Sequence, residues 1–124
     1  MNRVYFEKSI ERLEIASWQI NNNSTKTLGS TLYFALFNFM QAILSHPPEG
    51  RWKHIGINRR FAKYCVENNI MDRIKLRNLY DAYEKLYFYR IKGDYTDKVY
   101  SPAEIRELIV IFEFIREVIE QWEK

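Results

Sequence analysis

The chain has 124 residues, 47% of them hydrophobic and 28% charged, with a net charge of +3, a composition that suits one globular domain burying a core of its own. Its single cysteine, Cys65, excludes an internal disulfide, and no apolar run reaches the length of a membrane span. The positive excess is small and not gathered into runs, so it permits a polyanionic partner without requiring one.

Met1 to Glu7 is polar and charged with no apolar segment behind it, so no signal peptide is expected and a reducing, cytoplasmic setting fits. Glycine and proline are scarce, at four and three, which suits long helices joined by few connections. Residues 3 to 21 predict a first helix. Phe6, Ile10, Leu13 and Ile20 form its apolar stripe, Ile15 and Trp18 widen it, and Glu7, Lys8, Glu11, Arg12 and Glu14 cover the outside. The run Asn21-Asn22-Asn23-Ser24-Thr25 ends it with turn-forming residues.

Residues 28 to 45 predict a second helix that is apolar on every side, which places it at the centre of a bundle or against another subunit. Gly29 is expected to weaken its first turn, with Ser30 offering a later cap, and Pro47 and Pro48 to end it. A third helix covers about 54 to 67, with Ile55, Phe61, Ala62, Cys65 and Val66 inward and Arg59, Arg60 and Lys63 in water. Asn68-Asn69 closes it. The fourth covers about 73 to 91, after which Gly93 is expected to break the helix and leave 94 to 100 as a loop.

The fifth helix has the clearest start. Ser101-Pro102-Ala103-Glu104 sets a capping serine, a proline at the first helical position and a glutamate three residues after the cap. It runs to about Trp122 with two apolar faces, one on Ile105, Leu108, Ile109, Phe112, Ile115, Ile119 and Trp122 and the other on Ile111, Phe114 and Val118. One antiparallel neighbour does not cover both, so part of this surface is expected in a dimer interface. The sum is a single all-α domain, a bundle of four long helices and a shorter one, with no repeat and no internal boundary.

Charge appears where it is least expected on the fourth helix. Leu79, Tyr80, Tyr83, Leu86 and Tyr87 make a stripe at spacings of three and four, and the next position in it is Arg90. A guanidinium on a buried face is costly unless it is paired or opens into a polar site. Asp94 stands four residues on as a partner, with Lys92 and Tyr95 close by. A second constellation, Arg51, Lys53, His54, Arg59 and Arg60, surrounds the entry to helix three, where Trp52 is placed to stack a base, although one aromatic makes no platform.

Other chemistry is missing. Two histidines (His46 and His54), one cysteine and no Glu-x-x-His pair argue against a metal. Nucleophilic triads, glycine-rich phosphate loops and dinucleotide fingerprints are absent, so no cofactor is expected. Cys65 reads as a small buried residue, and the pairs Glu7/Glu11 and Glu113/Glu117 as solvated surface.

The order of three motifs carries a family resemblance. Ser30-Thr31-Leu32-Tyr33-Phe34-Ala35-Leu36-Phe37 resembles the S-x-x-Y-Y-A-x-F opening of the second helix in HEPN-domain proteins. His54-Ile55-Gly56-Ile57 followed by Phe61 looks like their H-x-G-[VI] start of helix three, and Arg90-Ile91-Lys92-Gly93-Asp94-Tyr95 is similar to the R-x-x-x-D-Y ending of helix four in small stand-alone members. The resemblance implies an up-down four-helix core, a homodimer, and a polar cluster near the dimer cleft. Many members are metal-independent ribonucleases with an R-x(4–6)-H motif, some pair with a minimal nucleotidyltransferase as toxin and antitoxin, and some bind nucleotides without known catalysis.

This chain departs from the nuclease motif. The positions after Arg90 where a histidine would stand hold Tyr95, Thr96 and Asp97, and His54 follows Arg51 by only three residues. Tyrosine, with a pKa near 10, is a poor base at neutral pH. Three readings follow. The first is a binding module for a nucleotide, RNA phosphate or partner protein through Arg90, Lys92, Asp94, Tyr95, Arg51, Lys53 and His54. The second is a ribonuclease with Arg90 on the phosphate and His54 or Tyr95 moving a proton. The third is an adaptor in which Arg90–Asp94 is only a buried pair. His54 is expected to reach Arg90 across the bundle, to cap its own helix, or to pack on Tyr87 or Tyr89.

Overall fold

The computed structural model describes residues 1–47 and 49–122. Its regular structure is all helical: α1 (Arg3–Asn21), α2 (Leu28–Leu44), α3 (His54–Glu67), α4 (Arg73–Tyr95) and α5 (Pro102–Trp122), with no strand among the described residues. None of these helices is long and apolar enough to cross a membrane.

Local chemistry explains the ends. Asn2 caps α1 by accepting from the Tyr5 amide, and Asp72 caps α4 by accepting from the Lys75 amide. At α5 the Glu104 amide donates to Ser101 Oγ (3.2 Å) while the Ser101 amide donates to Glu104 Oε1 (2.8 Å), the reciprocal capping box that the sequence predicts. α1 and α3 both stop at an asparagine in the left-handed region, Asn23 at φ 53° and Asn69 at φ 51°. In each case the next amide reaches back to close the last turn, Ser24 to the Gln19 carbonyl and Ile70 to the Cys65 carbonyl.

α2 is central and packs against all four other helices, which settles how a helix apolar on every side is covered. Leu28, Leu32, Ala35, Leu36, Phe39 and Met40 are fully buried on it; truncating such a leucine to alanine typically costs about 2–5 kcal/mol. α1 runs antiparallel to α2, tied at both ends by Asn2 N–H to Ala42 O (2.8 Å) and Gln19 Nε2 to Thr27 Oγ1 (2.8 Å).

Several expectations are corrected. α4 does not break at Gly93 but runs through it to Tyr95, and α2 starts at Leu28 with Thr27, not Ser30, in the cap position. Both glycines serve close approach instead. A side chain at Gly29 would stand 2.5 Å from Tyr100 Oη and 2.8 Å from Tyr89 Cβ, and one at Gly93 would also strike Tyr100 Oη. The Tyr100 hydroxyl enters where α2 and α4 meet and donates to the Tyr89 carbonyl (2.6 Å).

On α3 the inward set is Ile57, Asn58, Phe61 and Cys65, while Ile55 and Val66 are exposed, because the i, i+4, i+8 row of Ile57 sets the phase of the helix. On α1, Ser9, Ala16 and Gln19 are buried, and Ile15 and Trp18 face outward. Both faces of α5 are largely covered within the chain, since it packs against α1, α2 and α4 and Ile111 and Val118 are buried. Its second face is therefore no argument for a dimer. Of the two prolines expected to end α2, Pro48 lies outside the described residues.

Candidate functional site

The tyrosine stripe of α4 meets α2 and the first turn of α3 around Tyr33. The ring of Tyr33 is buried and touches His54, Tyr83 and Tyr87, with centroids 5.9, 5.3 and 5.8 Å away. His54 is the first residue of α3 and caps nothing; its ring turns into the bundle and stacks on Tyr87 at 3.5 Å between centroids. Its Nε2 lies 3.3 Å from Glu84 Oε2 and its Nδ1 3.3 Å from the Tyr33 hydroxyl. The Tyr83 hydroxyl donates to the His54 carbonyl (3.1 Å) and lies 3.1 Å from the Tyr33 hydroxyl.

Burial lowers the His54 pKa below its ordinary value; Arg90 pushes the same way, and Glu84 opposes both. Burial likewise raises the Tyr33 and Tyr83 hydroxyls, so neither supplies a phenolate near neutrality. A neutral His54 backed by a carboxylate is a group able to accept a proton.

Arg90 is half-buried beside this cluster. Its Cζ stands over three rings, Phe34 at 5.1 Å, Tyr33 at 5.3 Å and Tyr95 at 5.6 Å. One Nη lies 3.4 Å from the Tyr95 hydroxyl, while its Nε is buried with no hydrogen-bond partner. Arg90 makes no ion pair among the described residues. The expected Arg90–Asp94 pair is therefore absent. Rings of α2 hold the guanidinium, and Asp94 faces solvent.

The expected cluster at the end of α4 is divided. Arg90 and Tyr95 stay together, but Lys92 turns to α5 and bonds both carboxylate oxygens of Glu104 (2.7 and 2.8 Å). The second constellation also divides. His54 joins Arg90's side, while Arg51, Lys53, Arg59 and Arg60 line a separate cavity of about 360 Å³ with Trp52. Arg60 there is paired with Glu67 at 3.7 Å. Trp52 is half-buried against the core and also lines that cavity.

Sequence reasoning passed over Glu84, although its position between Tyr83 and Tyr87 places it on the aromatic stripe. It also set Arg12 on the outer face of α1. Arg12 is half-buried, and its Nε donates to Asn38 Oδ1 on α2 (2.9 Å). Cys65 is buried, which pushes its thiol up to about 11. No grouping of histidine, cysteine and carboxylates among the described residues is arranged to hold a metal.

No family model, curated protein or solved structure matches this sequence.

Proposed function

We propose that this chain is a HEPN-like four-helix bundle, with α3 as the additional short helix, that works as a homodimer and binds the phosphate of RNA or a nucleotide at Arg90. The observation that carries this reading is the state of Arg90: a guanidinium placed by three rings, with a buried Nε lacking a partner and no carboxylate against it. Such a group has its charge and its fork of donors left for an anion. Phe88, 61% exposed on α4 and about 200° round the helix from Arg90, offers apolar surface for a second copy of the chain.

The test is binding of a labelled single-stranded oligoribonucleotide to wild type and to Arg90→Gln, with light scattering for the mass in solution. Loss of about tenfold or more in affinity, about 1.4 kcal/mol, supports the reading. Unchanged affinity removes it, and a monomeric mass removes the dimer.

A second reading, a metal-independent ribonuclease partnered by a nucleotidyltransferase, is favoured by one observation. His54 and Arg90 both lie against the Tyr33 ring, so a proton acceptor and a cation suited to phosphate meet at one side chain although they are far apart in sequence. RNA cleavage by the wild type in the presence of a chelator, lost in His54→Ala, would establish it. Intact RNA leaves binding as the function.

A further inference from the structure

Two arginines reach the same ring. Arg12 Cζ stands 5.1 Å from the centroid of Phe34, and Arg90 Cζ stands 5.1 Å from it as well. They arrive from different helices: α1 and α4 do not pack against one another, and α2, which carries Phe34, packs against both. The two cations therefore approach Phe34 from two helices that both pack on α2, at most twice 5.1 Å apart.

Neither arginine is neutralised. Lys85, Lys92, Arg60, Lys63 and Arg116 each have a carboxylate partner, while Arg12 and Arg90 have none among the described residues. Arg12 is nevertheless held in place, because its Nε donates to Asn38 Oδ1 and buried Asn38 donates in turn to Gln41 Oε1 (2.8 Å). An amide orients a guanidinium without quenching it, which is what a preformed phosphate contact requires. The cation–π contacts hold both guanidinia on the ring, and the mutual repulsion of the two charges opposes them. A bound anion reverses that repulsion.

We propose that Arg12 is the second half of the anion site and that its ligand is a single-stranded nucleic-acid backbone, held by neighbouring phosphodiesters beside Phe34. This rests on the reading of Arg90 as a phosphate contact. Two cations anchored separately, by Asn38 and by the rings around Arg90, suit neighbouring phosphates of a strand, whereas a mononucleotide brings its charge to one point. The exposed ring of Tyr95 beside Arg90 offers a face for a base between or beyond those phosphates.

The test uses fluorescence anisotropy with a labelled oligouridylate over a range of salt, on wild type, Arg12→Gln, Arg90→Gln and Asn38→Asp. The last variant sets a carboxylate on Arg12, nearly unchanged in shape, and so neutralises it in place if Arg12→Gln folds poorly. Arg12→Gln and Asn38→Asp are each expected to weaken binding about tenfold and to lower the salt slope by about one, and uridine monophosphate is expected to compete poorly.

If Arg90→Gln loses binding while Arg12→Gln and Asn38→Asp keep wild-type affinity and slope, Arg12 is outside the site and the Arg90 reading alone stands. If none of the three changes binding, both readings fall. If uridine monophosphate competes as well as the oligomer, the strand is the wrong ligand and this inference is overturned.

Discussion

Arg90 and Lys92 stand two residues apart on α4 and meet opposite surroundings. Lys92 faces α5, where Glu104 takes it with both oxygens and Glu107 accepts from the Tyr89 hydroxyl and from Lys85 (3.2 Å). Both carboxyls are held below the usual range, Glu104 chiefly by Lys92 and Glu107 chiefly by the Tyr89 hydrogen bond. Arg90 faces α2, where rings and neutral groups orient it and no carboxylate answers its charge. On one side of α4 charge fastens two helices together. On the other, no carboxylate among the described residues meets it.

The largest expected effect breaks the frame that separates the two sides. Gly29→Ala puts a methyl group 2.5 Å from Tyr100 Oη and 2.9 Å from the Tyr89 backbone. Overpacking of this kind costs about 1–3 kcal/mol, read as a lower urea midpoint with an unchanged slope. If Gly29→Ala unfolds at the wild-type midpoint, the close approach of α2 to α4 is not as described.

The comparison itself is sharpened by neutralising its two members. Arg90→Gln is expected to lose nucleic-acid binding about tenfold, equivalent to about 1.4 kcal/mol, with little change in melting temperature. Lys92→Gln is expected to do the reverse, lowering the melting temperature because Glu104, only 21% exposed, loses the partner that bonds both its oxygens, while binding stays within about twofold. Equal losses of binding in both would erase the distinction.

Acid separates the sides further. Glu104 and Glu107 have folded pKa values below their unfolded ones, so their stabilisation is complete above the ordinary carboxylate range and is lost as pH falls through the folded values. Glu107→Gln should flatten that acid limb in thermal melts recorded against pH. His54 works in the same direction in a higher window. Its folded pKa lies below its ordinary one, so the unfolded chain takes up the proton first as pH drops below about 6.5.

The smallest effect is expected from His54→Phe at neutral pH. The ring stack on Tyr87 is kept and no charge is removed, so binding should hold within about twofold. NMR titration of His54 above its ordinary pKa would contradict the burial that lowers it.

Helix count and most boundaries were legible because the periodic stretches are long and their ends carry local signals, the Ser101/Glu104 box and the asparagine runs; the Asp72 cap was passed over. The glycines were misread for a physical reason. A glycine inside a helix reads as a breaker from its own propensity, and only the arrival of the Tyr100 hydroxyl turns it into a requirement for space. Arg90 was legible as a misplaced charge on an apolar stripe. Its surroundings were not, since an i, i+4 carboxylate is the partner a sequence suggests, whereas Tyr33 and Phe34 come from another helix. Arg12 looked like one more outer-face charge among Glu7, Lys8, Glu11 and Glu14, and nothing local marks its bond to Asn38.

The chain by itself therefore determined the helices, their turn-forming ends and the Ser101 cap, because those depend on neighbours within a turn or two. Which cations are quenched and which stay available was decided only when the helices packed. A rotation of about 100° per residue separates Arg90 and Lys92 by more than half a turn, so each faces a different neighbour, and only the tertiary arrangement sets whether that neighbour offers a ring or a carboxylate.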